Sequence, residues 1–244
     1  MDNPYETPRL LDEYLLFHYG EPAEVLPWED GPRSALGFPV RTVTAFLDGS
    51  PQGRALDLGC AVGRSAFELS RFCEEVVAVD YSHSFVRAAE QLRTEGSLPY
   101  TCREEGRHTR QLTARRPADC RPERVRFEQG DAMHLRADLG DFDLVHAANL
   151  LCRLTEPALL LERLPQLVRP GGTLVLTTPC TWLEEYTPPL RWPQGSTFEW
   201  LREVLEPAFT LEQQRDLPFL IREHARKYQW TVALGTCWRR RGTA

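Results

Sequence analysis

The stretch Arg54–Asp80, RALDLGCAVGRSAFELSRFCEEVVAVD, decides how this chain folds. Ala55-Leu56-Asp57-Leu58 is a short apolar run with strand character, and Gly59-Cys60-Ala61-Val62-Gly63 is a tight turn. Ser65–Cys73 carries Ala66, Leu69 and Phe72 at helical spacing. Val76-Val77-Ala78-Val79 is a second strand that ends on an acid, Asp80. Strand, glycine turn, helix and a second strand closing on a carboxylate make a βαβ unit able to hold a nucleoside. The glycines allow close approach of the backbone to a ligand, and the helix start offers N–H donors to an anionic group. Asp80 is placed to accept both ribose hydroxyl protons.

Two details choose the nucleoside. A dinucleotide turn wants Gly-x-Gly-x-x-Gly, whereas three non-glycines separate Gly59 from Gly63. Asp57 puts a carboxylate beside the turn, which repels phosphate and suits an ammonium group. S-adenosylmethionine carries one. The pattern Asp57-x-Gly59-x-x-x-Gly63 with Asp80 downstream resembles the first motifs of the Rossmann-like methyltransferases, with Ala61 where that family often has another glycine. The expected cofactor residues here are Asp57, Gly59, Cys60, Ala61, Gly63, Asp80, Tyr81 and Ser82.

With 244 residues, one α/β domain with additions is the default. A formal net charge of −6 argues against an electrostatic nucleic-acid binder. The seven cysteines are scattered, without a C-x-x-C pair, which suits reduced thiols better than a disulfide framework or a zinc site. No metal is expected. Without an apolar run of about 20 residues or a signal peptide at Met1-Asp2-Asn3-Pro4, the expectation is a soluble, cytoplasmic protein with no membrane partner.

Residues 1–50 are expected to form an N-terminal helical cap, and 51–244 the methyltransferase domain. Thr7–Tyr19 reads as a helix with Thr7 as cap and Pro8 at its first position. Leu11, Tyr14, Leu15 and His18 share one face, either covering the sheet's end or forming a lid with Tyr14 and His18 towards the substrate. Val40–Leu47 is a further helix whose Arg41 either reaches a carboxylate in the cleft or makes a surface salt bridge. Ser84–Arg93 is another helix. Residues 94–124 read as an arginine-rich, solvated insertion without periodicity. Val125–Glu128 is a third strand leading to Gly130-Asp131-Ala132-Met133, where Asp131 would meet an adenine amino group and Met133 the ring face.

Phe142–Ala147 is a fourth strand, and residues 148–154 cross its carboxyl end, where doubly wound sheets bind ligands. Asn149 and Arg153 are therefore site candidates, and Asn149 also joins the cofactor set. His146 reads as a buried, satisfied core histidine. Glu156–Leu167 is a helix, and a Pro170-Gly171-Gly172 turn opens a fifth strand to Pro179. The aromatics Trp182, Tyr186, Trp192 and Trp200 extend the core or wall an aromatic acceptor. Phe209–Pro218 and Trp230–Trp238 are two late strands joined by residues 219–224, and Arg239-Arg240-Arg241 is a solvated tail. The sum is an α/β, doubly wound, mostly parallel seven-stranded sheet with a terminal hairpin.

The stretches YETPRLLDEYLLFHYG (5–20), LPWEDGP (26–32), ALGFPVR (35–41), ALDLGCAVGRSAFELSR (55–71) and LPFLIREHARKYQW (217–230) together resemble the mercaptohistidine (5-thiohistidine) N-methyltransferases of ovothiol biosynthesis. The resemblance implies methyl transfer from S-adenosylmethionine to a ring nitrogen of thiolated histidine. It also implies a partner, since the iron-dependent sulfoxide synthase fused to some relatives is expected to be a separate protein. For such an acceptor, Arg41, Arg153 and Arg222 are candidates for the carboxylate, and Tyr14, His18, Asn149 and Tyr186 for the ring. A methyltransferase with another acceptor, a non-catalytic nucleoside binder and a nicotinamide oxidoreductase are the alternatives.

Overall fold

The computed structural model describes residues 4–50 and 52–242. Helices α1 (Pro8–Tyr19), α2 (Pro22–Val25) and α3 (Phe38–Thr44) precede strand β1 (Gln52–Leu58). There follow α4 (Arg64–Leu69), β2 (Cys73–Asp80), α5 (His83–Glu95), β3 (Ser97–Glu105), β4 (His108–Arg115), β5 (Val125–Gln129) and β6 (Phe142–Ala148). The chain ends with α6 (Pro157–Leu167), β7 (Val168–Thr178), α7 (Thr197–Leu205), β8 (Phe209–His224) and β9 (Lys227–Arg240). The sheet has seven strands in the order β5-β2-β1-β6-β7-β9-β8. Its first five strands pair in parallel, and β9 runs antiparallel to both β7 and β8.

Alternation along the central strands builds two cores. Ala55, Val76, Ala78, Leu144 and Val175 face a layer containing Leu15 of α1, Val43 of α3, Ala66 of α4 and Phe85 of α5. Their neighbours Leu56, Leu58, Val77, Val145 and Leu176 face Leu160 and Leu164 of α6 and Leu201 of α7. Each fully buried Leu or Val contributes about 1.5–3 kcal/mol, so the register of β1 against β2 and β6 is fixed from both faces. Thr7 caps α1 as the sequence indicates, its hydroxyl accepting from the Leu10 amide.

Several elements differ from expectation. Helix α4 stops at Leu69, and Cys73 already pairs with Gln52 as the start of β2. Helix α3 starts earlier, at Phe38, because Gly37 takes the left-handed conformation (φ 64°) and Pro39 fits the first turn. Residues 94–124 hold an ordered antiparallel hairpin of β3 and β4. Leu98, Tyr100 and Cys102 alternate inward with Leu112 and Ala114, and the arginines on the outer face hid that period of two. Residues 219–224 belong to β8 itself, and residues 225 and 226 make the turn into β9. The arginines at 239–241 are not a free tail: Arg239 pairs with Glu212, Arg240 donates to the carbonyls of Pro165 and Ala208, and the Arg241 amide donates to the Ala208 carbonyl.

Candidate active site

The carboxyl ends of β1, β2, β6 and β7 form one edge, and backbone strain gathers there. Among the described residues, three non-glycines have positive φ: Ala61 (48°) after β1, Asn149 (54°) after β6 and Cys180 (53°) after β7. These three strands are adjacent in the sheet, and such conformations persist where surrounding contacts over-determine them, as at ligand sites.

The turn after β1 is held from within. The amides of Gly59 and Cys60 donate to the Val79 carbonyl, that of Ala61 to Asp80 Oδ2 at 2.8 Å, and that of Gly63 to the Cys60 carbonyl. With four amides engaged, the turn has few donors left for a pyrophosphate, which strengthens the case against a dinucleotide. Gly59 (φ 69°) keeps the backbone open, for a Cβ would meet Leu150 at 3.1 Å. Gly63 (φ 87°) serves packing instead: a Cβ would strike the Phe127 ring at 2.6 Å. The Cys60 thiol is buried, and burial raises its pKa, so it is a turn-filling group and not a nucleophile.

Asp80 closes β2 as expected. Its other oxygen, Oδ1, accepts from the Ser82 amide at 2.9 Å. Burial raises its pKa to about 6, against the lowering pull of the Ser82 and Ala61 amides. The remaining lone pairs suit ribose hydroxyl donors. Asp57 differs from the expected direct contact with an ammonium group. It is buried at 1% exposure, accepts from Ser65 Oγ at 2.7 Å, and lies 2.7 Å from His146 Nδ1. His146 Nε2 in turn meets Thr42 Oγ1 at 3.0 Å, so this histidine is the satisfied core residue its alternation indicated. Asp57 thus braces the turn from beneath.

Across the cleft, Asp131 Oδ1 accepts from the Met133 amide at 2.8 Å, and Oδ2 lies 3.0 Å from His134 Nδ1. Ala132 is buried, and the Met133 sulfur accepts from the Thr155 hydroxyl and the Glu156 amide. The Asn149 amide donates to the Thr177 carbonyl, and its side-chain oxygen accepts from the Thr177 hydroxyl. Tyr81 is exposed, whereas Ser82 is consumed in capping α5, accepting from the Phe85 amide and donating to the Tyr5 carbonyl. That bond docks the N-terminal segment. Glu6 reinforces it, accepting from the amides of His83 and Ser84 and from the Ser84 hydroxyl.

This docking brings Tyr5 beside Tyr14 (ring centroids 5.9 Å) and Tyr186 (6.3 Å). Arg153 lies 4.7 Å over the Tyr186 ring and donates to the Thr181 carbonyl. Burial raises the Tyr14 hydroxyl to about 12 and that of Tyr5 further, while Arg153 pulls both down. Asp80 is among the charges acting on Tyr14, so the tyrosine chamber lies near the end of β2. Tyr5 escaped the sequence reading because a lone aromatic ahead of a capped helix carries no periodic signal.

Three other candidates lie elsewhere. Arg41 donates to the carbonyls of Leu36 and Pro218, pinning α3 to β8, so it is neither a cleft residue nor a surface salt bridge. Arg222 is 3% exposed, pairs with Glu104 Oε2 at 2.6 Å and donates to the Glu24 carbonyl, tying β8 to β3 and α2. His18 stacks on Tyr14 but lines a different cavity.

The chain matches a protein family described as "Methyltransferase domain" over residues 56–176. It is 27% identical to a ubiquinone biosynthesis O-methyltransferase of Xanthomonas campestris pv. campestris over 62% of this chain and 55% of that protein. It is also 27% identical to a trans-aconitate 2-methyltransferase of Deinococcus radiodurans over 60% of this chain and 46% of that one. The matched region thus spans about half the length of these relatives. Among solved structures, the N-methyltransferase NodS of Bradyrhizobium japonicum WM9 in complex with S-adenosyl-L-homocysteine superposes with a TM-score of 0.54 at 17% identity, covering 94% of this chain and 98% of that one. A putative methyltransferase of Bacillus halodurans C-125 superposes with a TM-score of 0.55 at 15% identity, over 84% of this chain and 99% of that one. Among the described residues no helix is long and apolar enough to cross a membrane.

Proposed function

From the premise that this chain is a Rossmann-like, S-adenosylmethionine-dependent methyltransferase, we propose that it methylates a ring nitrogen of a thiolated histidine. The observation carrying the acceptor is the chamber of Tyr5, Tyr14 and Tyr186 with Arg153, next to the cofactor edge. The stretch with which this chain resembles the mercaptohistidine N-methyltransferases at its start supplies Tyr5 and Tyr14.

The chamber's chemistry favours a neutral nucleophile. Burial holds the Tyr5 and Tyr14 phenols protonated, with Tyr14 at about 12, and Arg153 is a guanidinium, so none of these three groups removes a proton near neutral pH. An imidazole nitrogen needs no such help, because it attacks with a lone pair it already has. Bound S-adenosylmethionine supplies a methyl group activated by a sulfonium. Asp80 takes the ribose hydroxyls, Asp131 faces the adenine side, and the Gly59 turn leaves room for the cofactor backbone. Arg153 receives the acceptor carboxylate, and the tyrosine hydroxyls select the ring tautomer by hydrogen bonding the nitrogen that keeps its proton. Enclosure by three aromatic rings excludes water and aligns the reactants, a contribution worth effective molarities on the order of 10⁵ M.

An oxygen acceptor is the second reading, favoured by the names of the two relatives, one an O-methyltransferase and one acting on trans-aconitate. Incubation with labelled S-adenosylmethionine and 5-thiohistidine, histidine, a catechol or trans-aconitate separates the readings. The proposal requires label in an N-methylated thiohistidine, with plain histidine a far poorer acceptor. Turnover of the oxygen acceptors with none of the thiolated compound overturns it. The expected functional partner is the enzyme that installs the sulfur.

A further inference from the structure

A half-open cavity of about 400 Å³ lies between the end of α1, the segment before α3, the start of α4 and the end of β4. That volume is within the range of small-molecule sites. Its wall combines apolar side chains, among them Phe17, Val25, Leu36 and Leu220, with the cations Arg64, Arg115 and Arg116. Arg116 is engaged by the Leu92 and Arg93 carbonyls and Arg64 by Glu68, whereas the Arg115 guanidinium has no hydrogen bond or ion pair to any described residue. The one acid in the wall, Glu21, is occupied in the capping box of α2.

His18 also lines this cavity and makes no hydrogen bond to any described residue; its Nδ1 is buried without a partner. A buried N–H without an acceptor costs more than a buried lone pair, so the imidazole keeps its proton on Nε2. The ring therefore offers a neutral donor beside three guanidinium groups, above an apolar floor.

We propose that this cavity is a second binding site, for a small organic monocarboxylate with an aromatic or branched apolar body. The carboxylate accepts from His18 Nε2–H and pairs with Arg115, and the body fills the space against Phe17 and Leu220. This gives a role to the arginines of the β3–β4 hairpin, independently of the acceptor in the cleft. The groups around His18 are Tyr14, Tyr19, Glu21, Arg64, Arg115 and Arg116. Burial and Arg64 push the His18 pKa down to about 3, and an anion among these cations raises it.

The test is histidine-selective ¹³C NMR of the full chain titrated with 3-phenylpropionate, its neutral amide 3-phenylpropionamide, and inorganic phosphate. The acid is expected to shift the His18 resonance saturably and to move its titration midpoint upward, while the amide and phosphate leave it in place. Arg115→Glu, an exposed position, weakens the effect about tenfold, and Val40→Trp, which fills the cavity, abolishes it with the fold verified by circular dichroism. An unmoved His18 resonance, an equal response to the amide or to phosphate, or an Arg115→Glu variant that binds as well as the parent each overturns the proposal.

Discussion

The two halves of the cleft are built on different scales. The cofactor half is local: one βαβ unit supplies the Gly59–Gly63 turn, Asp80 and the backbone bonds that lock them together. The half proposed for the acceptor is assembled from a distance, with Tyr5 and Tyr14 from before the sheet, Arg153 from the segment after β6 and Tyr186 from beyond β7. The first half therefore depends on backbone conformation, and the second on how well remote segments dock. Damage to one should appear as lost fold or lost cofactor, and damage to the other as lost acceptor with the cofactor retained.

The largest effect should come from Gly63. An alanine there keeps φ near +87° and drives its Cβ into the Phe127 ring. Strain and overpacking together cost about 3 kcal/mol, lowering Tm by about 10 °C. Thermal unfolding checks this. A Gly63→Ala protein as stable as the parent would remove the idea that this half rests on backbone geometry.

Next is Asp80. Asp80→Ala removes both oxygens proposed to hold the ribose and should weaken S-adenosylhomocysteine binding about 100-fold in calorimetry. The pH dependence follows from a pKa raised to about 6. Because the folded value lies above the unfolded one, Asp80 favours the folded state most at pH below its ordinary carboxylate range, and that benefit is lost as pH rises through about 6. Cofactor affinity runs the other way, since protonation removes an acceptor. It should fall as pH drops below about 6, and Asp80→Asn should flatten that slope. An unchanged slope in Asp80→Asn would assign the titration to another group.

The same contrast explains what could be read from the sequence. The strands of the parallel sheet, the turn and Asp80 were legible because each lies within contiguous residues of recognisable pattern, whereas the order of the strands across the sheet is set by contacts remote in sequence. The hairpin at 94–124 was not, because the composition of its solvent face concealed alternating Leu98, Tyr100 and Cys102. Arg41 and Arg222 read as carboxylate ligands, Arg41 with a surface salt bridge as its alternative, yet both are spent on carbonyls or an acid between elements remote in sequence. Whether an arginine is available to a ligand depends on partners that spacing does not reveal. Asp57 looked like a ligand for the same reason, since its consumption by Ser65 and His146 appears only once β6 lies beside β1.

Arg153 should separate the halves cleanly. Arg153→Met keeps the apolar stem against Tyr186 and removes the charge, so the acceptor KM should rise about tenfold, the loss of one charge-assisted pair, while the Kd for S-adenosylhomocysteine stays within about twofold. Should both constants move together, Arg153 belongs to the cofactor half as well.

The smallest effect is expected at Tyr5, and it tests whether docking or chemistry dominates the acceptor half. Tyr5→Phe keeps the ring beside Tyr14 and Tyr186 and removes one hydroxyl, at a cost of about threefold in kcat/KM. Glu6→Ala leaves that hydroxyl and the Ser82–Tyr5 bond in place but deletes the acceptor for the His83 and Ser84 amides and the Ser84 hydroxyl, which loosens the N-terminal segment on α5. If the acceptor half depends mainly on docking, Glu6→Ala lowers kcat/KM more than Tyr5→Phe, although Glu6 stands outside the chamber. If the two effects come in the reverse order, the Tyr5 hydroxyl itself acts on the acceptor, and the chamber is as local in its chemistry as the glycine turn is in its backbone.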